Sequence, residues 1–178
     1  MKRVFVMAML ATALLSGAAR AASIGGGFFA GVAVPIVQED QDNGSIWGLR
    51  APVKLVPLLA VEPYFSMATL GDKTVTVGGF SATREGSEIK GFGLNAMLTM
   101  GGPVRFYPFA GIGTSKYMRS GQDESFTAYN LGLGLGLGVI PKLDVDLRGE
   151  FQAAASEGTS RKTVNITLGA SYAIFSLP

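Results

Sequence analysis

Apolar and small or polar residues alternate with a period of two from Tyr129 to Gln152, and the alternation stops only at residues 140–142. Leucine alternates with glycine in the first half. In the second half, charged side chains take alternate positions: Asp144, Asp146, Arg148 and Glu150. A period of two predicts β-strands. Strands of roughly ten residues are long for a soluble protein, but that length suits a tilted bilayer crossing. The segment therefore predicts a membrane-spanning β-hairpin.

Six further runs show the same alternation, which gives eight extended runs in all. They cover residues 24–34, 46–53, 59–70, 88–100, 104–118 and 163–175. An even number of strands is typical of bacterial outer-membrane barrels. Pro63 and Pro108 interrupt two runs, and because proline removes a ladder donor, we expect β-bulges there.

The connections between the runs alternate between tight and long. Tight connections are predicted at residues 54–57, 101–103 and 140–142, and longer polar loops at 36–45, 71–87, 119–124 and 156–162. Membrane barrels have short periplasmic turns and longer external loops. The order predicts an up-and-down barrel with both termini in the periplasm.

The apolar faces are predicted to meet lipid and the opposite faces to fill the lumen. An arginine facing lipid near the midplane costs about 2–4 kcal/mol, and glycine and small polar residues suit the narrow lumen of a small barrel. We expect the lumen to hold a packed network of paired charges rather than an open channel. Its predicted members are Arg50, Glu62, Tyr64, Arg105, Tyr107, Asp144, Asp146, Arg148 and Glu150.

Aromatic residues lie near the ends of several runs, as the two interfacial girdles of a membrane barrel require. Near the long loops the predicted girdle residues are Trp47, Tyr117, Phe126 and Tyr129. Near the short turns they are Phe106, Phe151, Tyr172 and Phe175.

The N-terminal segment predicts a cleavable signal peptide over residues 1–21, followed by a barrel domain over residues 22–178. Lys2 and Arg3 precede an uncharged apolar stretch at residues 4–15, and Ala19 and Ala21 form a small-x-small cleavage site. An uncleaved anchor is the alternative. Removing Lys2, Arg3 and Arg20 from the 15 basic residues leaves 12, against 13 acidic residues. A nucleic-acid partner is therefore not expected.

Composition also narrows the chemistry. The chain has no cysteine and no histidine, which excludes disulfides, thiolate metal sites and a Ser–His catalytic pair. The glycine run at residues 132–138 lacks the Gly-Lys-Ser/Thr ending of a phosphate-binding loop. We predict no catalytic residue, no metal site and no cofactor.

Two motifs carry a family resemblance. The stretch from Tyr107 to Gly113 follows the pattern Tyr-x-x-x-Gly-x-Gly, and the last run combines Gly169, Tyr172, Ile174 and Phe175. With the signal and the eight runs, the chain resembles the small OmpA/OmpX-like family of outer-membrane barrels. That family often ends on an aromatic residue, whereas three residues follow Phe175 here.

The resemblance implies an all-β fold, an eight-stranded antiparallel up-and-down transmembrane β-barrel in the cell outer membrane. It also implies that the last strand is an assembly signal for the barrel-assembly machinery. We expect the barrel to be a monomer surrounded by outer-membrane lipid and lipopolysaccharide.

The expected function is non-enzymatic, either structural or a surface contact made by the external loops. Two alternatives stay open at this point: a narrow pore for small solutes, and a soluble lipocalin-like carrier of apolar ligands. An enzyme would need an unusual Ser/Lys or carboxylate site.

Overall fold

The computed structural model describes residues 23–36, 41–78, 80–156 and 159–176. The predicted signal peptide and cleavage site lie outside the described residues. No helix in the described ranges has the length and hydropathy that a membrane crossing requires. The strands are β1 (Ser23–Pro35), β2 (Asp42–Arg50), β3 (Val53–Val56), β4 (Leu59–Gly71), β5 (Lys73–Val77), β6 (Phe80–Arg84), β7 (Glu88–Leu98), β8 (Met100–Gly101), β9 (Val104–Arg119), β10 (Gln122–Ile140), β11 (Leu143–Ser156) and β12 (Thr159–Ser176).

The main sheet closes on itself. Each barrel strand pairs antiparallel with the next along the chain, and β12 pairs with β1. β2 and β3 form one barrel strand because they keep one register against β4, with Arg50 opposite Tyr64 and Val53 opposite Val61. β7 and β8 likewise share one register against β9. The described residues thus confirm the predicted eight-stranded up-and-down barrel.

The bulges predicted at the two prolines are wrong. The pairing of β4 with β7 runs unshifted through Pro63, and that of β9 with β10 runs unshifted through Pro108. On its other side, each proline lies beside a strand whose hydrogen-bonded pairing is interrupted near that point. The N–H of Ala51, in the break between β2 and β3, donates to the carbonyl of Pro63 at 2.9 Å. Pro108 lies across from Leu98, the last residue of β7 before the break that separates it from β8. The missing proline donors therefore coincide with breaks between strand segments, and the main sheet needs no bulge to accommodate them.

Two of the predicted long loops are much shorter than expected. β9 and β10 are joined by Ser120 and Gly121 alone, whose positive φ values of 48° and 76° suit a two-residue hairpin turn. Only residues 157–158 separate β11 from β12. The polar composition of these segments reflects strand ends beyond the apolar surface. The longest connection contains a separate hairpin formed by β5 and β6.

The outward faces are apolar, as predicted, and the leucines of β10 from Leu131 to Leu137 are 50–64% exposed. The inward faces differ along the barrel. At the end with the long connections, here called the loop end, inward side chains form an apolar plug. Its members are Ala33, Ile46, Ala68, Leu70, Ile89, Tyr117, Phe126 and Ala154.

Two of the predicted girdle residues belong to this plug. Tyr117 and Phe126 are 3% exposed and pack edge to face with ring centroids 5.1 Å apart. The girdle prediction is therefore wrong for both. Tyr117 lies an even number of positions from the inward Tyr107 on β9, and Phe126 lies an even number from the inward Asn130 on β10. Side chains with that spacing share a face of the strand, so both point inward. Trp47 and Tyr129 do face outward and are exposed.

Candidate functional site: the lumen and the loop end

The structure places all nine predicted lumen residues on inward faces, although not at equal depth. Arg50, Glu62, Tyr107, Asp146 and Arg148 are buried. The other four are partly buried and line two cavities in the lumen: Tyr64, Arg105, Asp144 and Glu150.

Four of these residues form a central ionic layer, which comprises Arg50, Glu62, Asp146 and Arg148. Arg148 grips Glu62 through two parallel bonds, Nη1–Oε1 at 2.5 Å and Nη2–Oε2 at 2.8 Å. Arg50 Nη2 lies 2.6 Å from Asp146 Oδ2, and Arg148 Nε lies 3.4 Å from Asp146 Oδ1. The layer contains two positive and two negative side chains, so the buried charge is balanced.

Aromatic rings hold the guanidinium of Arg148 in place. Its Nε donates to the hydroxyl of Tyr107 at 2.9 Å. Its guanidinium carbon lies 5.1 Å from the ring centroid of Tyr107 and 5.5 Å from that of Phe109, within cation–π range. The guanidinium of Arg148 therefore has hydrogen-bond partners in its plane and aromatic rings near its face.

Amide side chains continue the network toward the loop end. Asn130 Nδ2 donates to the hydroxyl of Tyr64 at 2.7 Å, and Gln152 Nε2 donates to Asn130 Oδ1 at 3.2 Å. Asn165 Nδ2 donates to Glu150 Oε1 at 3.0 Å. The network predicted from the sequence omits these amides because it contains only charged residues and tyrosines. Each amide lies an even number of positions from an inward residue of its own strand, and that spacing is enough to predict that it belongs to the lumen network.

At the opposite end, here called the turn end, Arg105 pairs with Asp144. A cavity of about 80 Å³ lies there, bordered by Lys54, Arg105 and Asp146. A second cavity, of about 20 Å³, lies on the other side of the ionic layer and is bordered by Glu62 and Glu150. Arg148 lines both cavities and separates them. The smaller cavity has room for about one water molecule, and the apolar plug lies beyond it.

The loop end projects past the apolar outer surface. Among the described residues, β5 and β6 pair only with each other. The outward positions of β10 nearest its turn are Asp123, Ser125 and Thr127, too polar for hydrocarbon. Ser120 donates to Glu85 at 2.6 Å, which ties the base of the β5–β6 hairpin to the β9–β10 turn. The rim is therefore a connected structure.

Residues 5–173 match the family model described as outer membrane protein beta-barrel domain. The chain belongs to this family. The protein is therefore located in the outer membrane, and that location rules out the soluble lipocalin-like carrier. No curated protein gives a significant sequence match.

Solved structures show the same fold at low identity. Neisserial surface protein A (NspA) aligns with a TM-score of 0.67 and 13% identity, over 85% of this chain and 97% of that one. Ail, the attachment invasion locus protein of Yersinia pestis, bound to the heparin analogue sucrose octasulfate, aligns at 0.52 and 18%, over 87% and 99%. The N-terminal barrel domain of Pseudomonas aeruginosa OprF aligns at 0.52 and 12%, over 85% and 99%.

Proposed function

We propose that the protein is a non-enzymatic outer-membrane barrel that makes surface contacts through its loop end. The observation that carries this proposal is the contrast between the two parts of the molecule. The lumen is interrupted by the central ionic layer and the apolar plug, whereas the rim extends outward as a hairpin with no strand partner among the described residues. The barrel serves as the anchor and the rim as the contact surface.

The β5–β6 hairpin has two different faces. Thr74 and Thr83 share a hydrogen bond at 3.0 Å, and Thr76 and Ser81 share one at 2.8 Å, which makes one face a ladder of hydroxyl groups. The other face carries apolar side chains, of which Phe80 is 86% exposed. An isolated two-stranded hairpin is only marginally stable in water, so contact with a partner would stabilise it.

The relatives support surface contact without fixing the partner. The structure of Ail, the attachment invasion locus protein, contains a heparin analogue, and NspA is a surface protein by name. The rim of this chain has charges of both signs, including Asp72, Lys73, Glu85 and Arg161. A partner can therefore carry either sign of charge, and both an anionic polysaccharide and a cell surface are suitable probes.

The chemistry of the lumen supports a non-enzymatic role. The chain has no histidine, and the two acids of the central ionic layer are both paired with arginine. A carboxylate whose oxygens are occupied by a guanidinium is not free to take a proton from a substrate. The pore alternative has the interrupted lumen against it, since solutes would have to displace Arg148 and the aromatic pair of the plug.

We also propose two partners for the barrel wall. The outward side chains of β12, Tyr172, Ile174 and Phe175, are exposed, while Gly169 faces inward, where a Cβ would collide with Arg50. This strand is proposed to be the segment that the barrel-assembly machinery recognises. In the membrane the barrel is proposed to be a monomer whose wall contacts lipid and lipopolysaccharide.

The contact role is tested by replacing residues 74–83 with a short Gly-Ser link. Adherence of cells displaying each form to immobilised heparin and to cultured epithelial cells is the measurement. We expect the hairpin-deleted barrel to fold, as shown by heat-modifiable gel migration, and to lose adherence. Lys142→Asn is the matched control, since it alters the turn between β10 and β11 at the opposite end of the barrel and leaves the hairpin unchanged.

Equal adherence of the intact and hairpin-deleted forms to both surfaces would contradict the contact role. Conductance of the intact protein in a planar bilayer checks the pore alternative. Reproducible single-channel steps would mean that the lumen opens, contrary to the proposal.

A further inference from the structure

Two lysines lie directly opposite each other where the apolar outer surface ends on the loop side. Lys90 on β7 pairs in register with Lys116 on β9. Both alternate with inward residues and therefore point outward, and their side chains are 43% and 45% exposed. Opposite residues on neighbouring antiparallel strands have Cβ atoms about 4.5–5.5 Å apart. Two ammonium groups thus share one small area of the barrel wall.

This arrangement is unfavourable without an anion. Like charges directly opposite each other destabilise a strand pair. Each lysine has one carboxylate nearby: Lys90 Nζ lies 3.2 Å from Glu88 Oε1, and Lys116 Nζ lies 2.5 Å from Asp123 Oδ2. All four side chains are at least two-fifths exposed. Ion pairs of this kind are weak and screened, so the lysines can exchange partners readily.

The acids and the lysines are ordered along the strands. On β7 the outward positions run, from the loop end toward the membrane, through Glu88, Lys90, Phe92 and Leu94. On β9 they run through Met118, Lys116, Thr114 and Ile112, with Asp123 opposite Met118. The carboxylates therefore lie on the external side and the lysines on the membrane side. An anion at the membrane surface therefore approaches the lysines from the side opposite the acids.

No further charge in the described ranges lies beside the two lysines in their row of the sheet. In the same row of the sheet, the flanking strands carry Met67 next to Lys90 and Ser125 next to Lys116. Phe92, Leu94 and Ile112 below the pair are exposed on the outer wall. A lysine can lay its apolar stem on such a surface and keep its ammonium group at the polar boundary. Charge and apolar surface are therefore combined as a lipid headgroup and its acyl chain require.

We propose that Lys90 and Lys116 bind the phosphate of an anionic lipid in the outer leaflet, whose acyl chain lies on Phe92, Leu94 and Ile112. The phosphate relieves the repulsion between the two ammonium groups and accepts hydrogen bonds from both. This site rests on the lipid contact proposed above and names the residues that hold the headgroup.

The single tryptophan provides the measurement. Trp47 faces outward beside Phe28 and Phe65, and it lies in the same row as Met67 and Lys90. Two strand spacings separate Trp47 from Lys90, or about 10 Å. The full chain is reconstituted in phosphatidylcholine vesicles that contain a minor fraction of phosphatidylglycerol with brominated acyl chains. Brominated phosphatidylcholine serves as the neutral reference, and quenching of Trp47 reports which lipid is adjacent.

We expect the brominated anionic lipid to associate next to Trp47 at least about five-fold more strongly than the neutral one, since each lysine near an anionic surface contributes about that factor. K90Q/K116Q is expected to lose that preference. K73Q/K162Q removes the same charge at two lysines outside the row and is expected to keep it. Heat-modifiable migration verifies that each variant is folded, and K116Q alone replaces the double variant if that one does not fold.

Three results would overturn the site: no preference in the unmodified chain, equal preference in K90Q/K116Q, or equal loss in K73Q/K162Q. Inorganic phosphate is added in a further arm. Loss of the preference at low phosphate concentration would assign the lysines to a free anion instead of a lipid. Cell adherence through the hairpin is measured separately, so either proposal can fail while the other stands.

Discussion

At the scale of single residues, Arg148 shows how a charge is kept inside a membrane-embedded barrel. It has a bidentate carboxylate partner, a phenol acceptor and two aromatic faces. Parity along β11 is enough to predict that Arg148 points inward. Its pairing with Glu62, 86 positions away in the chain, was not predictable, because contacts across a lumen depend on how the sheet closes.

Removing the acid of this pair tests the role of the central ionic layer. Glu62→Ala leaves Arg148 buried without its main partner, and we expect the free energy of unfolding to fall by about 3–5 kcal/mol. Urea unfolding of the refolded barrel, followed by Trp47 fluorescence, measures the change. Glu88→Ala breaks an exposed ion pair and is the control, with an expected loss of at most about 1 kcal/mol. Equal losses would mean that the buried pair has no special weight.

At the scale of strands, glycine and large side chains are matched across neighbours. Gly132 lies opposite Phe109 and Gly134 opposite Tyr107 in the pairing of β9 with β10. The rings therefore lie over the glycines on the inner wall. The sequence predicted that glycines make room, but the identity of the rings that use this room depends on register. Register between strands is set by pairing and is not contained in the period of either strand.

The ends of β9 and β10 extend further than their sequence pattern predicts, for a related reason. The parts of β9 and β10 beyond the apolar surface carry polar residues on their outward faces, such as Lys116 and Asp123. Alternation of apolar and polar residues marks a strand only where one face meets lipid or a core. Outside the membrane the backbone ladder continues although the alternation is lost, so the pattern alone predicts a loop at residues 119–124.

Substitution by alanine distinguishes the glycines that lie under an aromatic ring from those that do not. In Gly134→Ala the added Cβ collides with the ring of Tyr107, and we expect a loss of about 1–3 kcal/mol in stability. In Gly138→Ala the nearest atoms lie 3.6 Å or more from the Cβ, so stability should change little. Urea midpoints of the two variants check this contrast. A larger loss at Gly138 would show that strand conformation, rather than ring packing, selects glycine here.

At the scale of the whole molecule, we expect the loop end of the barrel to face the cell exterior and the turn end to face the periplasm. The turn end carries the turn at Pro141 and Lys142, and the loop end carries the β5–β6 hairpin. The alternation of connection lengths predicted this polarity, and family membership places the barrel in the outer membrane. The hairpin itself was not predicted, because Thr and Gly in residues 71–87 suit a loop as well as a strand.

Trypsin added to intact cells tests the polarity. We expect cleavage at Lys73 or Arg84, at the base of the hairpin, while Lys142 stays intact until the outer membrane is permeabilised. Denaturing gels with detection of the two fragments report which bond is cut. Cleavage at Lys142 in intact cells before any cut in the hairpin would mean that the barrel is inserted the other way.

The pairing of β1 with β12 gives the barrel a seam between the first and last strands of the described chain, running from Ser23 to Pro35 with one register shift between Ile24 and Gly25. Hairpins such as β10–β11 form between strands that are adjacent in sequence. The seam instead joins residues that are separated by most of the sequence. Contacts of such long range slow folding. A chain interrupted after β11 would leave β1 and β11 with open edges, which invite pairing with other chains. Closure is therefore the step at which assembly and aggregation compete.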